Sequence, residues 1–141
     1  MHALEYVPQY YISSNPDDIK LDDVCRLLWG VHWAANRPKK VIEKSINNSK
    51  CFSLFDGHKQ VGFARVITDH ATFAYVSDVV IDGNYRGQKL GYWLITHILN
   101  HHEFATIAQW RLKTTYAHKF YKRLGFKPLS HPEKFLEIMK D

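Results

Sequence analysis

Hydrophobic residues recur along the chain with a period of two in some stretches and of three to four in others, which predicts strands and helices respectively. Stretches rich in β-branched and aromatic residues predict strands over residues 4–12, 51–55, 61–68, 72–81 and 107–114, with two more beginning at Phe126 and covering Phe135–Met139. Helical spacing predicts helices over residues 21–33, 38–46, 87–100 and 118–124. This order indicates one α/β domain of the layered α+β kind over residues 1–141, with a mixed, mainly antiparallel sheet of six to seven strands and about four helices.

Glycines mark two of the breaks between these elements. Asp56-Gly57 separates two predicted strands and favours a β-hairpin, for which we expect a loop of more than two residues. Gly125 follows the last predicted helix and fits the position of a C-terminal helix cap.

Composition is that of a globular domain, because 45% of the 141 residues are hydrophobic and a chain of this length can bury a substantial core. It contains no run of about 18 apolar residues, so we expect no membrane partner. The first residues lack the basic and apolar regions of a secretory signal. Cys25 and Cys51 are the only cysteines, which favours two reduced thiols over a disulfide and predicts a cytoplasmic location.

The formal net charge is +5 at pH 7, which raises the alternative of a nucleic-acid-binding domain with strongly salt-dependent affinity. The basic residues are spread along the chain, however, and their densest group is Arg37, Lys39 and Lys40. So short a run is typical of a solvated surface, and we expect no nucleic acid partner. An anionic small molecule accounts for the positive excess equally well.

The stretch from Val79 to Tyr92 predicts a buried strand, a short turn and the start of a helix. The first N–H groups of a helix have no partner within it and lie at the positive end of its dipole, where a pyrophosphate binds well. Gly87 and Gly91 allow close approach of the backbone, and Arg86 and Lys89 add positive charge. A glycine-capped turn without a ligand would show a similar pattern, so this stretch alone leaves both interpretations open.

Two motifs together resemble those of the GNAT N-acetyltransferase superfamily. Arg86 and Gly91 match the first and last positions of the Arg/Gln-x-x-Gly-x-Gly/Ala motif, with Lys89 where the middle glycine is usual. The run from Ala117 to Phe126, with Tyr121 and Gly125 in register, is similar to the second family motif. Thr114 stands where that motif has an asparagine.

The resemblance implies a GNAT-like fold and acetyl-coenzyme A as cosubstrate, with no metal. It implies that main-chain groups of Val79, Val80 and Ile81 face the pantetheine arm and thioester, beside a strand from which the sheet splays. The remaining cofactor-binding residues that it implies are Arg86, Gly87, Gln88, Lys89, Leu90, Gly91, Tyr92 and Thr114. The implied activity is transfer of an acetyl group to a primary amine of a small molecule or peptide, by direct attack on the thioester.

Catalysis of this reaction needs a neutral amine, a polarised carbonyl and a proton for the leaving thiolate. The resemblance makes Tyr121 the candidate general acid, whereas from its position alone it would be a core residue. Asp78 lies in an otherwise apolar strand and is the candidate for amine recognition or base action, with a structural aspartate or a water route as alternatives. Trp33 is the candidate wall of the acceptor site.

A group of histidines and two departures from the family motifs each allow more than one interpretation. His97, His101 and His102 share a helix end, but no cysteine or carboxylate with ligand spacing accompanies them, so a solvated helix end is favoured over a metal site. The departures at Lys89 and Thr114 motivate a second interpretation, a coenzyme A-binding module without catalysis. The sequence identifies neither the acceptor nor the oligomeric state, and a homodimer is one alternative.

Overall fold

The computed structural model describes residues 9–140. One sheet runs through this part of the chain, with strand order β1-β2-β3-β4-β5, in which each pair is antiparallel except the parallel pair β4-β5. The strands are β1 (Tyr10–Ser13), β2 (Lys50–Asp56), β3 (Lys59–Thr68), β4 (Phe73–Ile81) and β5 (Gln109–Arg111). The predicted mixed and mainly antiparallel sheet is therefore confirmed.

Four α-helices cover the sheet, as expected. They are α1 (Leu21–Trp29), α2 (Lys39–Asn47), α3 (Leu90–Leu99) and α4 (His118–Arg123). Pro38 precedes the first residue of α2 with an extended backbone, which agrees with its predicted place at the start of that helix. Short 3₁₀ turns at Pro16–Asp18, Gly83–Tyr85, His102–Phe104 and Pro132–Lys134 complete the connections.

Alternation along the strands places an apolar core on each face of the sheet. On one face, α1 and α2 pack on residues such as Phe63 and Val80. On the other face, α3 packs on Phe52 and Val76, with α4 half-buried against the same cluster. Neighbouring residues of β3 and β4 thus belong to different cores, which is why apolar residues follow one another directly at 63–64 and 79–81.

The sheet has five strands in the described part of the chain, so the prediction of six to seven was too high. Residues after Gly125 form no strand there, although strands were expected at Phe126 and over Phe135–Met139. Pro128 and Pro132 have no N–H to donate to a ladder, and the second of them opens a 3₁₀ turn. The apolar residues beyond it, Phe135, Leu136, Ile138 and Met139, are largely exposed.

Several other boundaries differ from the sequence prediction, since α1 ends at Trp29 instead of about Trp33, α3 begins at Leu90 instead of about Gly87, and β5 covers only Gln109–Arg111 of the predicted residues 107–114. Within the described residues the first strand begins at Tyr10, and residues 4–8 of the predicted strand lie outside them. The hairpin after Asp56 has a two-residue loop, since Asp56 pairs directly with Lys59. Gly57 has φ +59°, the left-handed conformation with which so tight a turn follows the twist of its strands.

Candidate functional site

The turn between β4 and α3 has a backbone that leaves N–H groups free at the start of a helix. Gly87 and Lys89 both have positive φ, at 83° and 62°. Lys89 is the N-cap residue of α3, and its side chain makes no capping hydrogen bond. The first N–H groups of α3 therefore have no side-chain cap from Lys89, and they lie at the positive end of the helix dipole. This turn suits a phosphate group.

Polar side chains hold the turn in place from outside. Asp82 is buried, and its carboxylate accepts hydrogen bonds from the Asn84 amide at 3.0 Å and the Arg26 guanidinium at 2.9 Å. These two donors outweigh the effect of burial and hold the pKa of Asp82 below its ordinary value. The Tyr10 hydroxyl donates to Gln88 Oε1 at 2.8 Å. The Gln88 side chain is thus tied to β1 through its carbonyl oxygen.

The other predicted cofactor-binding residues of this segment differ in exposure. Arg86 and Lys89 are exposed, so their charges are accessible beside the helix start. Leu90 is buried against Leu54 and Val61, so its side chain belongs to the core. The ring of Tyr92 is 42% exposed. The segment therefore combines basic side chains with an anchored helix start.

Gly91 lies where α3, β4 and α4 meet. A Cβ atom added to Gly91 would lie 3.5 Å from Phe120 Cζ and 3.7 Å from Ile81 Cγ1, which is ordinary van der Waals contact. The space is therefore sufficient for a methyl group but not for a longer side chain without movement. Phe120, which the sequence analysis did not single out, closes the space between α4 and the end of β4.

One edge of β4 is open beside this turn. The parallel pairing with β5 ends at Tyr75 and Arg111, whereas β4 continues to Ile81, paired with β3 on its other side. The stretch from Val76 to Ile81 thus has no strand partner on the β5 side within residues 9–140. This unpaired stretch includes Val79, Val80 and Ile81, whose main-chain contacts with a cofactor stay a prediction.

A β-bulge interrupts β4 at Asp78. Ser77 pairs with Arg65 and Val80 pairs with Phe63, so two residues of β4 stand opposite one residue of β3. Asp78 has φ +54°, a left-handed conformation that aspartate tolerates better than most residues. The bulge turns the Asp78 side chain toward the face covered by α1 and α2.

The Asp78 carboxylate is fully engaged by neighbouring side chains. Its Oδ2 accepts hydrogen bonds from Arg65 Nε at 2.7 Å and Arg37 Nη1 at 2.8 Å, and Oδ1 accepts from Trp33 Nε1 at 3.4 Å. Burial alone would raise the pKa of Asp78, but the hydrogen bonds and charges of the two arginines outweigh it and leave the pKa below its ordinary value. A carboxylate held ionised in this way is a weak proton acceptor, which disfavours the base role predicted for Asp78.

Aromatic side chains border this ion cluster. Trp33 is 49% exposed, so the residue predicted as an acceptor-site wall does face solvent beside Asp78. The His32 ring lies 5.3 Å from that of Trp33 and 5.5 Å from that of Tyr116. Since Tyr116 belongs to the loop between β5 and α4, the three rings bridge the two loops that flank the open edge of β4.

Four residues of this region were not predicted from the sequence: His32, Arg37, Arg65 and Tyr116. Of these, Arg37 was expected only as part of a solvated basic run. The one signal that pointed to a partner was the buried position of Asp78, since a carboxylate in an apolar strand requires a counter-charge. That signal does not say which of the arginines supplies it.

Tyr121 is half-buried on α4, with its ring 4.9 Å from Phe120 and 5.8 Å from Phe126. Burial raises the pKa of Tyr121 to about 12, so the hydroxyl keeps its proton throughout the neutral range. A cavity of about 800 Å³ is lined by Tyr121, Thr114 and residues of β5 and the C-terminal segment. Its lining includes neither the end of β4 nor the turn, so of the predicted site residues only Thr114 and Tyr121 border this cavity.

Thr114 has a local structural role. Its hydroxyl oxygen accepts a hydrogen bond from the Ala117 amide at 3.0 Å, which orders the loop before α4. The hydroxyl proton remains available to a ligand. Binding of the cofactor by Thr114 therefore stays a prediction.

Glu103 places a carboxylate beside His101 and His102, which was not expected from the sequence. Ligand atoms of His101, His102 and Glu103 lie within 4.8 Å of one another. Glu103, however, is paired with Lys50 at 2.9 Å, and a cation would have to compete with that ammonium group. The expectation of no metal stays a prediction.

Comparisons with known proteins point to one family. The sequence model of the acetyltransferase (GNAT) domain matches residues 47–128. The N-acetyltransferase ycf52 of Pyropia yezoensis, described as uncharacterized, is 34% identical over 82% of this chain and 69% of its own length. A Xanthomonas campestris protein of the GNAT family has a crystal structure that superposes with a TM-score of 0.89, at 31% identity and over 96% of each chain.

A second structure agrees with this. The GNAT family protein SP0256 of Streptococcus pneumoniae superposes with a TM-score of 0.73, at 25% identity, over 94% of this chain and 96% of its own.

Among residues 9–140, no helix combines the length and the apolar character needed to cross a membrane.

Proposed function

The chain belongs to the GNAT acetyltransferase family, and on that basis we propose that it is an N-acetyltransferase, which moves the acetyl group of acetyl-coenzyme A to a primary amine of a small molecule or peptide. Homologous proteins named acetyltransferases support acetyl transfer in general. The names of these homologues do not specify an amine acceptor or direct attack of the amine on the thioester, and we propose both.

The observation that carries the proposal is the open edge of β4 beside the free helix start. From Val76 to Ile81 the strand has no partner on the β5 side within the part of the chain that the structure describes. Main-chain groups of a strand without a partner need another donor or acceptor. The extended pantetheine arm of coenzyme A carries amides that match them. The α3 start, with Arg86 and Lys89, is placed to receive the pyrophosphate of the same molecule.

The chemistry requires the amine nitrogen to form a bond with the thioester carbon while the carbon–sulfur bond breaks. The leaving thiolate then needs a proton, and Tyr121 is the proposed donor because its hydroxyl stays protonated at neutral pH. Main-chain N–H groups of Val79 and Val80 are the proposed donors to the carbonyl oxygen.

For Asp78 we propose a positioning role in place of base action. Its carboxylate holds Arg37 and Trp33 at the edge of the acceptor region. The amine would then lose its proton to water, which is the route that the sequence analysis left open.

The competing function is a coenzyme A-binding module without catalysis. Lys89 in place of the family's glycine motivates it, but Lys89 adopts the left-handed conformation that a glycine would also adopt. Its N–H can therefore serve in the same way. A cytoplasmic location, a homodimer and the lack of metal, membrane and nucleic acid partners stay predictions.

Two measurements test the proposed function. Coenzyme A should raise the melting temperature, because a ligand that binds only the native state stabilises it, and an adenine nucleotide should do so less. Release of free thiol from acetyl-coenzyme A should then depend on an added amine. A thermal shift without amine-dependent thiol release would favour the binding module, and no shift at millimolar coenzyme A would exclude both functions.

A further inference from the structure

The Asp78 cluster has an excess of positive charge. Two guanidinium groups, of Arg37 and Arg65, share the single carboxylate of Asp78, so one positive charge has no counterpart within these three side chains. The Asp78 side chain is 2% exposed, whereas that of Arg37 is 23% exposed. The surplus charge is therefore accessible at Arg37.

Arg37 also has an unused pair of donors. Its Nη1 donates to Asp78, and within residues 9–140 its Nε and Nη2 donate to no protein acceptor. A guanidinium edge of this kind binds a carboxylate through two parallel hydrogen bonds. Asp78 fixes the guanidinium, which lowers the entropy that binding of a ligand would cost.

Through its ion pair with Asp78, Arg37 lies beside the proposed reaction centre. Asp78 forms the bulge of the β4 segment that, within residues 9–140, has no strand partner on the β5 side. The half-exposed ring of Trp33 donates to the same carboxylate, and the rings of His32 and Tyr116 continue the rim. An acceptor between these loops would meet a cation and aromatic faces together.

We infer that the acceptor is an amine that also carries a carboxylate, as amino acids do, and that Arg37 binds this carboxylate while the rim of His32, Trp33 and Tyr116 contacts an apolar body. Asp78 disfavours a polycationic acceptor, because its negative charge is already neutralised by two arginines. This inference rests on the proposed function and adds to it the class of acceptor.

The test compares three acceptors that share one hydrocarbon body: phenylalanine, phenylalaninamide and phenethylamine. They differ in whether the molecule carries a carboxylate, an amide or neither. We expect kcat/KM for the acid to exceed that for the other two by about ten- to a hundredfold, the range for a hydrogen bond to a charged group.

Arg37→Gln should abolish the preference for the acid. Arg37→Lys keeps the positive charge but lacks the two parallel donors of a guanidinium, so it should retain part of the preference.

The loop that carries Arg37 should keep its structure in both variants. The Arg37 carbonyl accepts from Trp29 Nε1 at 2.7 Å and its amide donates to Ala34 at 3.1 Å, and Arg65 still pairs with Asp78. Retained thermal stabilisation by coenzyme A would show that the variants are folded. Lys40→Gln, at an exposed position of α2, is the matched control and should keep the preference.

Equal rates for the three acceptors, or an unchanged preference in Arg37→Gln, would overturn the inference and leave the proposed function standing. The same holds if other amines are acetylated and phenylalanine is not. If no amine supports thiol release, the proposed function fails, and the acceptor class fails with it.

Discussion

Two groups of candidate ligand-binding atoms flank the unpaired stretch of β4, and they differ in kind: one consists of main-chain atoms and the other of side-chain atoms. On the side of α3, the candidate ligand groups are main-chain N–H groups, set by positive φ at Gly87 and Lys89 and by the helix start. On the side of α1 and α2, they are side chains of Trp33, Arg37 and Asp78, which come from two distant parts of the chain.

This difference has a consequence for specificity. Main-chain groups are present whatever the side chain, and Lys89 keeps the left-handed conformation that a glycine would also adopt. A site made from them suits a ligand that a whole family shares. Side chains can change one at a time, so a site made from them suits a ligand that differs between members. If the comparison holds, substitutions on the acceptor side should spare coenzyme A binding, and substitutions on the turn should spare the acceptor preference.

The largest effect is expected from Asp78→Asn, which tests whether the acceptor side depends on charge. Asparagine tolerates positive φ as aspartate does, so the change removes charge without adding backbone strain. It leaves two mostly buried arginines without their counter-ion, and the free energy of unfolding should fall by on the order of 3 kcal/mol in urea titrations. Coenzyme A should still stabilise the variant.

The pH dependence of stability follows from the same carboxylate. Because the pKa of Asp78 is lower in the folded state than its ordinary value, its contribution is present above pH ~4 and is lost as the pH falls through the folded-state pKa. Asp78→Asn should lack this part of the acid-induced loss. Asp22→Asn, which removes an exposed partner of Lys39, is the control and should lower the free energy of unfolding far less than Asp78→Asn. Identical acid titrations for wild type and Asp78→Asn would contradict the ion-pair account.

Tyr121→Phe tests the residue proposed to act between the two sides. If the hydroxyl protonates the leaving thiolate, turnover at saturating acetyl-coenzyme A should fall by about a hundredfold or more. Affinity for acetyl-coenzyme A should hardly change, because the proton is needed in the transition state. The control is Tyr11→Phe, because the Tyr11 ring stacks on Phe55 at the opposite edge of the sheet. Wild-type turnover in Tyr121→Phe would remove this residue from the mechanism.

The cofactor side is tested by a pair of substitutions at Gly91. Alanine adds a Cβ that meets Phe120 and Ile81 at ordinary contact distances, so affinity for coenzyme A in calorimetry should stay nearly the same. Glutamate adds a longer side chain and a negative charge in the first turn of α3, and affinity should fall by about tenfold or more. Equal affinities for the two variants would mean that the pyrophosphate binds elsewhere.

The smallest effects are expected within the turn. Lys89→Gly relieves a left-handed lysine but adds flexibility to the unfolded chain, so the free energy of unfolding should change by less than about 1 kcal/mol. Gly87→Ala has free space for its methyl group but forces an L-residue to φ +83°, at a cost of about 1 kcal/mol or more. Thermal unfolding of the two variants compares them directly. A larger loss in Lys89→Gly than in Gly87→Ala would show that the Lys89 side chain supports the turn.

The order of elements up to α4 and the mixed, mainly antiparallel sheet could be predicted from the sequence. So could the glycine turn before α3 and the preceding end of β4. These features depend on local properties: period, turn residues and the free N–H groups of any helix start. Where local signals conflicted, the prediction was wrong. The apolar run Phe135–Met139 favoured a strand, but the two prolines before it and the lack of a sheet partner left it exposed.

Only the tertiary structure decided how Asp78 is used. A sequence shows that a carboxylate in an apolar strand needs a partner, but it cannot say that Arg37 and Arg65 both turn toward it, because these contacts join residues 41 and 13 positions away. The β-bulge that points Asp78 at them depends on the register between β3 and β4. Such a register is set by the packing of both cores at once and has no local signal, which is why the Asp78 cluster could not be predicted from the sequence.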